Sequence, residues 1–170
     1  MGVIDYLDIP GTTGWLGLTA CPGREPGLLR GDSALLTQEL ARFSALGATA
    51  VLTLVEQPEL EMLGLPELGE RVRAAGLEWR HLPIQDFHAP GPAFEAAWPR
   101  ARLAMYRHLH AGAGVIVHCL AGLGRTGTVA SRVLIEAGLA PEDALRRVRA
   151  ARPGSVQSRE QLGYILRLTG

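Results

Sequence analysis

HCLAGLGRTGT, residues 118–128, stands between the apolar run GVIV and the helix-like run VASRVLIEAG. This stretch contains Cys119, one of only two cysteines in the chain, and Arg125 follows it after five intervening residues. An apolar strand that leads into a glycine-rich turn and then into a helix is typical of the anion-binding loops of α/β proteins. The stretch therefore poses two questions: which anion the loop holds, and what a cysteine does inside it.

One interpretation is a dinucleotide site. Gly122, Gly124 and Gly127 satisfy the G-x-G-x-x-G pattern after a predicted strand and before a predicted helix. The acidic residues Glu142 and Asp143 lie about 20 positions further on, but at a predicted helix start rather than after a second strand. Only 43 residues follow Gly127, too few for the rest of such a fold. The dinucleotide interpretation is therefore weak.

A nucleoside-triphosphate loop also has two glycines at the separation of Gly122 and Gly127. That loop requires a lysine where this chain has Thr128, and the chain contains no lysine at all. The sequence thus excludes this loop, together with any chemistry that depends on a lysine amine.

A phosphate-monoester site explains the residues that the first two interpretations leave unused. In a loop of this length, successive backbone N–H groups can point inward and, with the N-terminus of the next helix, bind an anion. The Arg125 guanidinium matches two phosphate oxygens, and the same positive field favours a nucleophilic thiolate at Cys119. The other interpretation of Cys119, a small buried apolar residue, explains neither the arginine nor the glycines. The predicted phosphate-binding residues are Leu120, Ala121, Gly122, Leu123, Gly124 and Arg125.

Length and composition bound the remaining possibilities. The chain has 170 residues, 47% of them apolar, which predicts one globular domain. Its formal net charge is zero, which gives no reason to expect a nucleic acid or a membrane surface as partner. No apolar run is long enough to span a membrane, and residues 1–10 do not resemble a secretory signal. Two cysteines do not indicate a disulfide framework. We therefore expect a cytoplasmic protein, with its oligomeric state left open.

Strand-like and helix-like segments alternate along the chain, which predicts an α/β fold with a central, mostly parallel sheet flanked by helices. Pro99 is expected to kink or break the third helix. The predicted strands are 16–20, 49–55, 77–84 and 114–118, and the predicted helices are about 33–46, 66–76, 93–111, 127–138, 141–151 and 159–168.

The stretch 118–128 resembles the H-C-x5-R-[S/T] loop of the cysteine-dependent protein phosphatases. WLGLTACPG (15–23), HLPIQDFHAP (81–90) and PGSVQSREQLGYI (153–165) resemble, in the same order, segments of the kinase-associated phosphatase and related small dual-specificity enzymes. The loop is also similar to those of archaeal and cell-cycle dual-specificity phosphatases. The resemblance covers most of the chain and implies that residues 1–170 form a single catalytic domain with a protein tyrosine phosphatase-like fold.

The resemblance also implies roles for individual residues. Cys119 matches the nucleophile and Arg125 the phosphate clamp. Thr126 matches a hydroxyl that hydrogen-bonds the thiolate and helps it leave, and His118 matches a residue that orders the loop. Asp86, in the proline- and glycine-rich segment after a predicted strand, matches the general acid.

The resemblance also implies a role for two glutamines. Gln157 and Gln161 match glutamines that place the hydrolytic water in related enzymes. At Phe87 and His88 the sequence departs from relatives that have small residues after the acid, which leaves the rim of the site undefined.

Relatives that act on inositol lipids tend to have a lysine in the loop, and residues 120–124 contain no basic residue. A protein or small aryl phosphate is therefore favoured as substrate.

Together these features predict hydrolysis of phosphate monoesters on proteins or peptides through a phosphocysteine intermediate, with no metal and no cofactor. Phosphotyrosine is the expected substrate, and dual specificity adds phosphoserine and phosphothreonine. The alternative is a non-catalytic module of the same fold that binds phosphorylated ligands, although such a module would usually have lost Cys119, Arg125 or Asp86.

Some residues keep two interpretations at this stage. Cys21 is either structural or a disulfide partner of Cys119 under oxidation. Glu56 either supports the site from behind or is an ordinary loop charge. The arginines of the predicted helix 141–151 and its end either form a solvated face or steer phosphorylated substrates. They are Arg146, Arg147, Arg149 and Arg152.

Overall fold

The structure, a computed structural model, describes residues 1–169. Within them a five-stranded sheet has the order β1-β2-β5-β3-β4, with β1 antiparallel to β2 and the other neighbours parallel. The strands are β1 (Asp5–Asp8), β2 (Trp15–Thr19), β3 (Ala48–Thr53), β4 (Glu78–His81) and β5 (Gly114–His118). The helices are α1 (Ser33–Ala45), α2 (Gln57–Met62), α3 (Leu68–Ala74), α4 (Pro92–His110), α5 (Gly124–Glu136), α6 (Pro141–Ala151) and α7 (Arg159–Arg167).

Strand β5 lies at the centre of the sheet because its sequence, GVIVH, is buried throughout. It runs parallel to both β2 and β3, and its last residue, His118, is in register with Thr19 and Thr53. The carboxyl ends of these strands therefore meet at one edge, where ligands bind in open α/β sheets. Residues 119–123 leave the sheet at this edge and lead directly into α5.

The predicted α/β architecture is confirmed, and the differences from prediction are local. Strand β1 was not predicted because a four-residue strand, DYLD, is too short to show a clear alternation. Helix α2 was also missed. Helix α5 begins at Gly124, three residues before the predicted start, because the glycines of the loop obscured its first turn.

The expected break at Pro99 is wrong, since α4 continues through that residue. Pro99 is exposed, so the carbonyl that loses its helical partner can be solvated. Phe94 and Trp98 are stacked, with ring centroids 5.3 Å apart, and both are buried. Their burial against the rest of the core favours a continuous helix.

Candidate active site

Cys119 lies immediately after β5, and its side chain is buried. The backbone N–H of Gly122 donates a hydrogen bond to Cys119 Sγ over 3.2 Å. Gly122 has a φ of +73°, and a Cβ atom there would lie 2.3 Å from the backbone oxygen of Thr19. Glycine is therefore required for the loop to turn back onto Cys119.

Arg152 holds this loop from behind. Its Nε donates to the carbonyl of Gly122 over 2.6 Å and its Nη2 to the carbonyl of Ala121 over 3.3 Å, while Nη1 pairs with Asp5 Oδ2 at 2.6 Å. In a trans peptide the carbonyl and the next N–H point in opposite directions. Bonding these two carbonyls outward therefore turns the N–H groups of Gly122 and Leu123 inward. Arg152 was expected to belong to a solvated face or to steer substrates, and its contact with the loop was not predicted.

Arg125, predicted as the phosphate clamp, is 1% exposed and makes a bidentate ion pair. Its Nη1 and Nη2 lie 2.6 and 2.8 Å from the two carboxylate oxygens of Glu59, and Nη1 also donates to the carbonyl of Ile84. Burial opposes the charge, but the hydrogen bonds to Glu59 and the negative charge of that carboxylate raise the pKa of Arg125. Within residues 1–169 its Nε has no partner. That donor is available to an anion.

Glu59 was not identified from the sequence, and it is the acid that supports the clamp. Glu56, the residue for which that role was considered, is the N-cap of α2 and gives its backbone N–H to Glu59 Oε2 over 2.8 Å. The spacing of the two residues, with Pro58 between them, is that of a helix N-terminus in which the third residue turns back toward the cap. This spacing was the available signal both for α2 and for the orientation of Glu59.

Asp86, predicted as the general acid, approaches the same guanidinium. Its Oδ1 lies 3.2 Å from Arg125 Nη2, and its side chain is 47% exposed. Oδ1 also accepts the backbone N–H of Phe87 over 3.0 Å, and Phe87 has a φ of +60°. A phosphate oxygen that binds Arg125 Nη2 would displace Asp86 from it and leave the carboxyl beside the bound ester.

His118 is fully buried and connects the loop to the sheet. Trp79 Nε1 donates to Thr53 Oγ1 over 2.8 Å, and that hydroxyl lies 2.7 Å from His118 Nε2. Because an indole N–H can only donate, the Thr53 hydroxyl is free to give its own proton to Nε2. His118 then carries a proton on Nδ1, which lies 3.3 Å from the carbonyl of Cys119. Burial lowers the pKa of His118 to about 3, so the ring is neutral and orders the loop through hydrogen bonds.

The structure places Thr126 beside the loop without the hydrogen bond that the resemblance implies. Its hydroxyl is buried and has no hydrogen-bond partner in the part of the chain that the structure describes. The hydroxyl is therefore available to a group that changes during a reaction, such as the thiolate of Cys119 as it leaves phosphorus.

The two predicted glutamines lie close to the loop, because a Cβ on Gly124 would be 2.9 Å from Gln157 Oε1 and 3.1 Å from Gln161 Nε2. The side-chain oxygen Oε1 of Gln161 accepts the backbone N–H groups of Gln157 and Ser158, at 2.9 and 3.2 Å. Its amide nitrogen donates to the carbonyl of His88 over 3.3 Å. Gln161 thus caps α7 and ties it to the Asp86 loop, whereas the Gln157 side chain is exposed beside the loop.

Cys21 lies near Cys119, and both thiols are free. Burial and the neighbouring charge of Cys119 raise the pKa of Cys21, so its thiol stays protonated. Within residues 1–169 the structure gathers no group of three or more His, Cys, Asp or Glu side chains able to hold a metal ion. None of the helices it describes is long and apolar enough to cross a membrane.

A buried cysteine in an anion-binding loop, an arginine clamp and a nearby carboxylate define a phosphatase-type site on an α/β sheet. A family model described as "Polymorphic toxin system, DSP-PTPase phosphatase" matches residues 28–139. The chain belongs to this family, a group of dual-specificity and protein tyrosine phosphatases.

Curated relatives agree with this assignment over part of their length. Protein tyrosine phosphatase type IVA 3 of Homo sapiens is 44% identical over 54 residues, which cover 32% of this chain and 31% of the relative. The probable protein tyrosine phosphatase type IVA A of Dictyostelium discoideum is 29% identical over 96 residues, 56% of this chain and 57% of the relative. The chain thus matches between about a third and just over half of the length of these relatives.

Solved structures resemble nearly the whole chain. Kinase associated phosphatase, in a form whose catalytic-site cysteine is replaced by serine, has a TM-score of 0.84 at 25% identity, covering 96% of this chain and 92% of that one. Tk-PTP in its active form has a TM-score of 0.70 at 30% identity, covering 96% and 98%. These similarities confirm the protein tyrosine phosphatase-like fold and the resemblance stated from the sequence.

Proposed function

We propose that this chain hydrolyses phosphate monoesters on proteins, phosphotyrosine above all, through a phosphocysteine intermediate. The observation that carries the proposal is the meeting of three groups at one point. Cys119 Sγ lies inside the loop, Arg125 Nε is a buried donor without a partner in residues 1–169, and the Asp86 carboxylate is 3.2 Å from the same guanidinium. One bound phosphate monoester can contact all three.

In the first step the inward N–H groups of the loop and Arg125 bind the nonbridging phosphate oxygens and stabilise the charge of the transition state. Cys119 thiolate attacks phosphorus, an S–P bond forms, and the P–O bond to the leaving group breaks. Asp86, in its acid form, gives its proton to the leaving oxygen. The substrate phosphate takes the place that Asp86 holds on Arg125, which puts the carboxyl on the leaving-group side.

In the second step a water molecule attacks phosphorus and the S–P bond breaks. Asp86, now a carboxylate, takes the proton from that water. The Thr126 hydroxyl is free to donate to the departing thiolate. We assign the positioning of the water to the exposed Gln157 amide, which lies beside Gly124 of the loop. Inorganic phosphate and the Cys119 thiolate are regenerated, so the cycle balances with water as the only co-reactant.

Substrate chemistry follows from the loop and from the leaving group. Residues 120–124 offer backbone N–H groups and no basic side chain, which suits the single phosphate of a phosphorylated side chain better than a multiply charged inositol headgroup. A tyrosine phenol, with a pKa near 10, is a better leaving group than an aliphatic hydroxyl. We therefore propose phosphotyrosine as the preferred substrate and phosphoserine and phosphothreonine as slower ones.

The alternative, a module that binds phosphorylated ligands without turnover, has no specific feature in its favour. Cys119, Arg125 and Asp86 are all present and in one place, and binding alone requires neither the nucleophile nor the acid. A nucleophilic thiol must also stay reduced, which supports the proposal of a cytoplasmic location.

The test is release of nitrophenol from p-nitrophenyl phosphate by the reduced protein without added metal. We expect turnover in the wild type, none above background in Cys119→Ser, and a loss of about 10²–10⁴-fold in Asp86→Ala, the size of a general-acid effect. Asp143→Ala is the matched control, since Asp143 is an exposed acid that pairs with Arg146, and its activity is expected to equal that of the wild type.

Turnover that survives Cys119→Ser would contradict the mechanism. Absence of turnover in folded, reduced wild type, with p-nitrophenyl phosphate and with phosphotyrosine peptides, would instead favour the binding module.

A further inference from the structure

A cavity of about 510 Å³ lies between β4 and α4, away from the residues assigned to catalysis. Residues 79–82 line it from β4 and the turn that follows. Successive side chains of a strand point to opposite faces, so a cavity lined by four consecutive residues lies against the edge of the strand. Strand β4 is the last of the sheet, and only β3 pairs with it among residues 1–169. The cavity is therefore a groove along an open sheet edge.

The opposite wall of the groove is a face of α4 with small side chains, Ala93, Ala96 and Ala97. All three are exposed, so they leave room between the helix and the strand edge. A groove with these two walls has the shape for an extended peptide segment, which can also use the unpaired backbone groups of β4.

The groove is positively charged, although the whole chain is neutral. Three arginines line it, Arg73, Arg80 and Arg100, and no acidic residue does. Arg80 pairs with Glu78 at 2.6 Å, and the Arg73 guanidinium lies over the Trp79 ring, 4.6 Å from its centroid. Neither Arg73 nor Arg100 has a carboxylate within 4.0 Å among residues 1–169, so both charges are available to a ligand.

We propose that this groove binds an acidic segment of the phosphoprotein substrate, extended along β4, while the phosphorylated residue occupies the loop of Cys119. The inference rests on the proposed function, which supplies the second point of attachment. Charge complementarity favours this occupant, because Arg73 and Arg100 are unpaired and an extended acidic chain satisfies both them and the strand edge.

The distance between the two sites sets the length of the substrate segment. Asp86, beside Arg125, follows His81 of the groove by five residues. Those residues can span at most about 18 Å, so no more than about five or six extended residues separate the phosphorylated residue from the start of the acidic segment. The groove thus favours substrates whose acidic residues begin within that separation from the phosphorylation site.

The experiment compares two phosphotyrosine peptides, one with four glutamates beginning five residues from the phosphotyrosine and one with glutamines at the same positions. Both orders of the acidic run, before and after the phosphotyrosine, are assayed. The enzymes are wild type, the double variant Arg73→Glu/Arg100→Glu, and the charge-matched control Arg30→Glu/Arg147→Glu, whose residues are exposed and lie outside the groove.

For the wild type and the control we expect one order of the acidic peptide to have a KM about tenfold lower than its glutamine counterpart, the size that a few exposed charge pairs give together. In Arg73→Glu/Arg100→Glu that difference disappears, with kcat and the turnover of p-nitrophenyl phosphate unchanged. A KM difference that is absent in the wild type, or that survives in Arg73→Glu/Arg100→Glu, would overturn the proposal.

A binding measurement separates this inference from the proposed function. Fluorescence anisotropy of the unphosphorylated acidic peptide with Cys119→Ser protein is expected to show binding that Arg73→Glu/Arg100→Glu removes. Stronger competition by a single-stranded oligonucleotide of equal charge than by unlabelled peptide would overturn the peptide as occupant. Absence of p-nitrophenyl phosphate turnover in the wild type, by contrast, would count against the catalytic mechanism. The anisotropy measurement would still test peptide binding in the groove.

Discussion

The signature loop, residues 119–125, and the acid loop, residues 83–91, face each other across Arg125, and they are held in different ways. Cys119 and Arg125 are buried, and the backbone between them is bonded from behind by Arg152. In the acid loop Asp86 and its two successors are exposed, and only a few bonds tie the loop to the rest of the fold. These bonds include Gln161 to the carbonyl of His88 and the backbone N–H of Ala89 to Glu160.

This difference fits the separate tasks that the proposed mechanism gives to the signature loop and the acid loop. Charge stabilisation at phosphorus requires donors that are already in place before the substrate arrives, and the signature loop is built that way. In the proposed mechanism Asp86 leaves its contact with Arg125 when phosphate binds, protonates the leaving oxygen and then takes a proton from the attacking water. A loop that can move serves that task better than a fixed one. Substitutions behind the signature loop should therefore lower stability and activity together, whereas substitutions in the acid loop should leave stability almost unchanged.

The largest effect on stability is expected for Glu59→Ala. This variant leaves the Arg125 guanidinium buried without its bidentate partner, and removing one member of a buried ion pair costs about 3–5 kcal/mol. Turnover of p-nitrophenyl phosphate should also fall by about 10²-fold, since a clamp displaced by about 1 Å costs that much. Urea unfolding and steady-state kinetics measure the two effects.

Glu56→Ala is the matched control for this variant. Glu56 caps the same helix, and its contact is through the backbone, so we expect a loss of about 1 kcal/mol or less and activity near that of the wild type. If Glu59→Ala lowered stability and activity no more than Glu56→Ala, the bidentate contact would not be what holds Arg125. The view that the signature loop is fixed in place would then lose its main support.

A smaller effect is expected for Arg152→Ala, which removes the charged donors from the carbonyls of Ala121 and Gly122. Such bonds are worth about 1.5–3 kcal/mol each, so the inhibition constant of inorganic phosphate should rise by about tenfold or more. Arg152→Lys should restore part of the affinity, because it keeps one charged donor. Arg147→Ala, an exposed neighbour on α6, is expected to leave the constant unchanged.

A positioning role for Arg152 also predicts which kinetic constant changes. Loop N–H groups that turn away bind the substrate less well and stabilise the charge of the transition state still less, so KM should rise and kcat should fall. If phosphate inhibition were normal and only the melting temperature fell, Arg152 would be a structural tie to Asp5 and not an organiser of the anion site.

The sequence predicts the part of the site whose residues lie close together along the chain. Cys119 and Arg125 lie on one short loop, so their spacing alone indicates an anion site and a clamp. The contacts of Glu59 and Arg152 were not predicted, because they join residues 66 and 30 positions apart, which no local pattern reveals. Asp86 was found only through the resemblance of its segment. The central strands were predictable because their apolar runs are continuous, whereas the four residues of β1 were too few.

The smallest effect is expected for Phe87→Gly, which tests the exposed acid loop. Phe87 is 57% exposed and has a φ of +60°, a conformation that costs a residue other than glycine about 1–2 kcal/mol. Glycine removes that strain but gives the unfolded chain more freedom, worth about 0.4–1 kcal/mol in the opposite direction. The free energy of unfolding in urea should therefore rise by no more than about 1.5 kcal/mol. Turnover of p-nitrophenyl phosphate should change by less than about threefold, as for an ordinary surface substitution. A loss of stability as large as that of Glu59→Ala would mean that the Phe87 ring packs onto the signature loop in solution. In that case the two loops would form one rigid unit, and Asp86 would have to act without moving.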